Sequence, residues 1–266
     1  MVDFLLFVLV VAIGYLFGSF SSAIIVSRVF SLPDPRVGGS KNPGATNVLR
    51  LAGKKYAVLV LIADVLKGVI PVAIARLFEV NPLTLGFVCF AAVMGHIYPV
   101  FFGFKGGKGV ATAIGALFCL NLILGGMVIA TWLVVANYSR YSSLASMTAI
   151  TLAPVYSAFT IGQVDIIVPL FFIAVFILFQ HRNNITRLID GEEPKILFRQ
   201  GSENSIADQL TQPETKILTS DEVQEENPGE KPQPQRHKKT VRKKTTGKKT
   251  AEPKKPQTAK DVNPKE

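Results

Sequence analysis

Two short stretches carry the residue types that hold anions. GGSKNPGATNVLR runs from Gly38 to Arg50, and FKGGKG runs from Phe104 to Gly109. In the first, Ser40 and Thr46 offer hydroxyls, Asn42 and Asn47 offer amides, Gly44 relaxes the backbone, and Lys41 and Arg50 add positive charge. No acidic residue occurs between Val37 and Leu61. Donors and cations with no anion nearby suit an oxyanion, most simply a phosphate. In the second, Lys105 and Lys108 flank Gly106 and Gly107, just before a helix expected to open at Val110. Bare glycine amides and lysines at a helix N-terminus make a second anion site. This stretch is not a nucleotide P-loop: the first glycine of that motif would fall at Phe102, and Lys108 is followed by Gly109 rather than Ser or Thr.

Two further clusters accompany them. GSFSS, Gly18 to Ser22, puts Ser21 and Ser22 ahead of Arg28; small residues of this kind also permit close helix packing. HRNNITRLIDGEEPK, His181 to Lys195, has helical spacing that sets His181, Asn184 and Leu188 on one stripe. His181 and Asn184 are expected to close over a ligand, with Glu193 and Lys195 pairing to groups in the other loops. His96 lies within an apolar run, where a packed histidine and a catalytic one are equally compatible with the sequence. Asp64 and Lys67, three residues apart, are expected to neutralise each other and to orient the loops rather than to act chemically. Cys89 and Cys119 are too few and too far apart for a metal motif and read as small buried hydrophobes. No metal ligand set and no cofactor are expected.

The elements that must position these clusters are membrane helices. Of 266 residues, 48% are hydrophobic, and the apolar ones form long blocks up to about Gln180. The blocks fall at 4–27, 56–78 and 83–102, followed by a long region 110–180. The N-terminal run lacks the basic leader of a signal peptide and is too long for one, so it reads as a retained first span. Basic residues concentrate in the connection 28–55 and in FKGGKG, whereas FEVNPL carries Glu79 and no Lys or Arg. The positive-inside rule then puts the N-terminus outside and both glycine-rich loops in the cytoplasm. For the basic HRNNITRL segment to lie inside as well, 110–180 must hold an even number of spans. Four fit, with breaks at 121–126, 139–142 and 160–165. The expected fold is all-α and polytopic, with about seven transmembrane helices. Arg76, near the outer end of its span, is the one charge that fits this scheme poorly.

The formal net charge of +10 is explained by span ends and tail, so nucleic acid is not an expected partner. Residues 1–196 read as one integral membrane domain. Residues 197–266, rich in Lys, Glu, Pro, Gln and Thr, read as a disordered cytoplasmic tail. Its basic run RHKKTVRKKTTGKKT has anionic lipid as one candidate partner.

Taken together, GSFSSAIIVSR, GSKNPGATNVLR, GHIYPVFFGFKGGKGVATA and HRNNITRL resemble the PlsY family, the bacterial acyl-phosphate:glycerol-3-phosphate acyltransferases. The resemblance covers essentially residues 1–196. It implies an inner-membrane enzyme of phospholipid synthesis, with its site facing the cytoplasm. The implied reaction moves a fatty acyl group from acyl phosphate to the 1-hydroxyl of glycerol 3-phosphate, giving lysophosphatidic acid. On that reading Ser40, Lys105, His181 and Asn184 are the catalytic set. Substrate binding falls to Ser21, Ser22, Arg28, Asn42, Gly44, Thr46, Asn47, Arg50, Gly106, Gly107, Lys108, Glu193 and Lys195. The sequence leaves open which loop holds which phosphate. Neither His96 nor His181 has Asp at the fifth following position, as thioester-using acyltransferases often do, and there is no Gly-x-Ser-x-Gly elbow. An organic-phosphate transporter and a non-catalytic binder of lipid headgroups are the competing readings. The first would favour an internal repeat, which is not evident. The second leaves both glycine–lysine loops without a purpose.

Overall fold

The structure is a computed structural model, and it describes residues 1–196. The expectation of a disordered tail at 197–266, with its lipid partner, lies outside the described residues. Among the described residues the regular structure is entirely helical. In chain order the helices are α1 (Val2–Gly18), α2 (Ser22–Val29), α3 (Ala45–Ala52), α4 (Lys54–Leu77) and α5 (Pro82–Ile97). After a 3-10 turn at Val100–Phe102 come α6 (Val110–Leu120), α7 (Leu122–Ser139), α8 (Ser142–Thr160), α9 (Val164–Gln180) and α10 (Arg182–Ile189).

The breaks follow from local chemistry. The first apolar block bends by 42° between α1 and α2, at the serine-rich GSFSS. There the Ser19 hydroxyl donates to the Tyr15 carbonyl at 2.8 Å and competes with the helix ladder. Asn81 and Asn121 cap α5 and α7, accepting from the amides of Thr84 and Leu124. The expected break at 121–126 therefore shrinks to Asn121 alone, because one capping side chain is enough to start α7. The other two breaks are Arg140–Tyr141 and Ile161–Gln163, within the expected windows. Arg76 has a local explanation. Its guanidinium donates to the carbonyls of Cys119 and Leu120 at 2.9 and 3.1 Å, closing the C-terminus of α6.

Small residues bring the helices close. At Gly18 and Gly95 a side chain would run into backbone across the α1–α5 contact, and at Gly68 and Gly115 it would do so across α4–α6. This is the packing expected where lipid, not water, surrounds the bundle. Valines, isoleucines, alanines and leucines fill the centre, while Phe4, Leu9, Leu61, Leu66, Val134 and Phe171 are exposed on the outside. Cys89 is buried and Cys119 half-buried, both with free thiols.

Among the described residues three helices are long and apolar enough to cross a bilayer, and up to five spans result if each of two bent pairs, α1–α2 and α9–α10, counts as one. Helix α6 has only 11 residues, about 16 Å of rise against a hydrocarbon core of about 30 Å. Helix α8 is longer, but its serines and threonines lower its hydropathy.

Candidate active site

The first glycine loop is built around Asn47. Its side chain, 1% exposed, turns back from α3 into the loop. Nδ2 donates to the carbonyls of Pro35 and Gly38 at 2.9 and 3.1 Å, and Oδ1 accepts from the Ser40 amide at 2.8 Å. Every strong hydrogen-bonding position of that amide except one oxygen lone pair is used. Asn47 was expected to hold phosphate; it instead holds the loop that presents Ser40. The Gly44 amide is spent too, on the Asn42 carbonyl at 2.9 Å. Val48 anchors α3 in a small core with Ala23 and Val60. That arrangement leaves Ser40, Thr46 and Arg50 exposed and Asn42 half-buried. Their side chains make no hydrogen bond or ion pair among the described residues, so they are available to a ligand.

The lysine–glycine loop is tied just as firmly. Gly106 and Gly107 donate their amides to the carbonyls of Ile97 and His96 at 3.1 and 3.2 Å. The expectation that these amides are bare is therefore corrected: they close the loop onto the end of α5. Neither position has room for a side chain. Gly109, at φ +85°, turns the chain into α6 in a conformation that favours glycine. The Pro43 carbonyl stands against Gly107, so the two glycine loops touch. Arg28 of α2 reaches the same region, with its guanidinium 5.9 Å from the centre of the Phe102 ring. Ser21 and Ser22 are buried at the start of α2.

The two lysines part company. Lys105 is exposed and makes no hydrogen bond or ion pair among the described residues. Lys108 turns inward, and its ammonium donates to the Asn184 carbonyl oxygen. Asn184 passes the contact on, donating from Nδ2 to Glu193 Oε1 at 2.6 Å. The other carboxylate oxygen of Glu193 takes Arg187 Nε at 2.8 Å. Burial pushes the Glu193 carboxyl up, but Ser143, Asn184 and Arg187 more than offset it and hold it below the usual value. Burial pushes Lys108 down to about 8; Glu193 opposes this, and the charges of Arg187 and Arg50 add to it. With Lys108 and Arg187 set around one carboxylate and Arg50 near enough to act on Lys108, the cluster keeps a surplus of positive charge. His181, 2% exposed, lies beside it at the α9–α10 bend. Its Nδ1 is 2.8 Å from the Ile177 carbonyl, which can only accept, so Nδ1 carries the proton. The neutral ring then presents Nε2 as a lone-pair acceptor.

Lys195 does not join this cluster. Its ammonium sits 5.7 Å from the centre of the Tyr141 ring. Two residues beside the site were missed in the sequence. Arg187 reads there as one more basic residue after a span. Ser143 lies in a run of serines and threonines with nothing to single it out. In the fold Ser143 is buried beside Glu193. No group of three or more His, Cys, Asp or Glu gathers among the described residues.

Apolar helices that expose hydrophobic side chains, with two glycine loops touching beside the inward-turned Lys108, define an integral membrane protein. The chain belongs to the glycerol-3-phosphate acyltransferase family, whose sequence profile matches residues 8–191. It is 58% identical over 194 residues to a glycerol-3-phosphate acyltransferase of Legionella pneumophila (strain Corby), covering 73% of this chain and 70% of that one. The corresponding protein of Pseudoalteromonas translucida is 54% identical over 184 residues, 69% of this chain and 90% of its own. The crystal structure of PlsY (YgiH), an integral membrane glycerol 3-phosphate acyltransferase, in its glycerol 3-phosphate form, superposes with a TM-score of 0.68. The identity is 39%, covering 77% of this chain and 99% of that one. The lysophosphatidic acid form of that enzyme gives a TM-score of 0.67 at 40% identity, covering 72% and 95% of the two chains. The protein described here is thus a multi-pass membrane protein of that family.

Proposed function

We propose that this protein acylates glycerol 3-phosphate to lysophosphatidic acid in phospholipid synthesis, with acyl phosphate as the donor. Family membership and the two ligand forms of the similar enzyme support the acceptor and the product. The observation that carries the reading is the inward-turned Lys108, bridged by Asn184 to Glu193, against a loop that offers Ser40, Thr46 and Arg50. Those are cations and donors enough for two phosphates. An acyl thioester would bring no phosphate to the reacting end, whereas acyl phosphate brings one.

In the reaction the 1-hydroxyl oxygen of glycerol 3-phosphate bonds to the acyl carbonyl carbon. The bond from that carbon to the phosphate oxygen breaks, and inorganic phosphate leaves. The hydroxyl proton passes to a substrate phosphate oxygen or to Nε2 of His181. A mixed anhydride is already activated, so the protein mainly holds two anions in line and stabilises developing charge. Ser40, Asn42, Thr46 and Arg50 hold the phosphate of glycerol 3-phosphate. Lys108 neutralises the donor phosphate as it leaves, while Asn184 and His181 orient the glycerol hydroxyl. Glu193 and Arg187 keep Asn184 in place. Ser21, Ser22 and Arg28 line the adjoining pocket.

The basic residues around both loops support a cytoplasmic site, an external N-terminus and about seven crossings in a bacterial inner membrane, with residues 1–196 as the acyltransferase domain. A donor comparison tests the chemistry. Purified protein given glycerol 3-phosphate should form lysophosphatidic acid from acyl phosphate and not from an acyl thioester. Equal rates from both would overturn the donor assignment.

A further inference from the structure

One buried polar group lies outside the residues assigned above. Asp64 and Lys67 pair at 2.9 Å on α4, both almost wholly enclosed. Lys67 also donates to the Phe20 carbonyl at 2.9 Å, inside the α1–α2 break. His96, buried at the end of α5, puts Nδ1 3.0 Å from the Thr112 hydroxyl and 3.6 Å from the same Asp64 carboxylate. Its Nε2 edge occupies the space that a side chain on Gly107 would need. Ionisable groups inside a lipid-embedded bundle are costly and mark functional networks. Mutual neutralisation would need only Asp64 and Lys67. This group reaches further: to the α1–α2 bend, to the lysine–glycine loop and to the first turn of α6.

We propose that Asp64, Lys67 and His96 are positioning residues that set the height of the lysine–glycine loop, and so of Lys108, above the α1–α2 break. The backbone bonds of Gly106 and Gly107 tie this loop down, and the His96 ring fills the space beneath it. Gly107 has to be glycine because that ring stands in its place. The inference rests on the reading of Lys108 as the cation of the transfer step.

A mutual-suppression experiment tests it, with lysophosphatidic acid formation measured for Gly107→Ala, His96→Ala and the double variant. Gly107→Ala should lower kcat by about a hundredfold, because its methyl strikes the ring. His96→Ala should lower kcat by about tenfold while KM for glycerol 3-phosphate stays within about threefold. The double variant should fall within about threefold of His96→Ala alone, because the ring is gone and only the Pro43 carbonyl, 3.1 Å from the methyl, is left to give way slightly. Losses that multiply, to about a thousandfold in the double variant, would overturn the proposal. So would a His96→Ala defect confined to KM. If Gly107→Ala does not fold, a folded and active double variant supports the brace, and a double variant that also fails contradicts it. A wild-type chain inactive with glycerol 3-phosphate and acyl phosphate would instead overturn the enzyme reading, which keeps the two failures distinct.

Discussion

Lys108→Met will lower kcat by about a hundred- to a thousandfold, whereas Lys105→Met will cost less than about fivefold. The two lysines are three residues apart in one loop, yet only Lys108 enters the buried chain through Asn184 to Glu193. Half-enclosed and short of water, its ammonium should act on developing negative charge with little screening, whereas the exposed Lys105 ammonium is screened. The same burial supplies a second readout. Lys108 is pushed down to about 8, so its charge is present below that pH and lost as pH rises through it. Activity should therefore fall along an alkaline limb near pH 8. A Lys108→Arg variant that keeps activity should lose that limb, since a guanidinium stays protonated to above about pH 12. Comparable losses at Lys105 and Lys108 would show that the inward turn of Lys108 has no bearing on the reaction.

Arg50→Ala should act on binding rather than on the chemical step. Arg50 lies in the last turn of α3, exposed and unpaired among the described residues, yet close enough to Lys108 to act on its charge. An unpaired guanidinium one helical turn from Thr46 is suited to fork two phosphate oxygens. Its removal should raise KM for glycerol 3-phosphate by about thirtyfold, with kcat within about threefold, a loss of about 2 kcal/mol of binding. Arg50→Lys should recover the charge but not the fork, and so only part of the affinity. Initial-rate measurements over glycerol 3-phosphate concentration separate the two parameters. An unchanged KM would move the phosphate of the acceptor to the other loop.

Much of this site could be read from the chain because its chemistry interrupts an apolar background. Gly, Ser, Asn and Lys interrupting or following long hydrophobic blocks marked all four clusters, and charge parity divided 110–180 at 121–126, 139–142 and 160–165, windows that contain the breaks at Asn121, Arg140–Tyr141 and Ile161–Gln163. What remained hidden depends on direction, which composition does not encode. Nothing local says that Lys108 turns in and Lys105 out. Asn47 reads as a donor beside Asn42, but its amide is taken by backbone seven to twelve residues earlier in the chain. Gly106 and Gly107 read as bare amides, yet their partners belong to the end of α5. Arg76 looked misplaced against the charge rule until α6 supplied carbonyls for it to cap. In each case a contact between elements overrode the local pattern.

Direct transfer between two held anions would leave no acyl group resting on the protein at any stage. Mixing the enzyme with acyl phosphate alone and following inorganic phosphate on the single-turnover timescale tests it. No phosphate should be released until glycerol 3-phosphate is added, and then one for each lysophosphatidic acid formed. A burst of phosphate equal to the enzyme present, before any acceptor is added, would reveal an acyl-enzyme and contradict it.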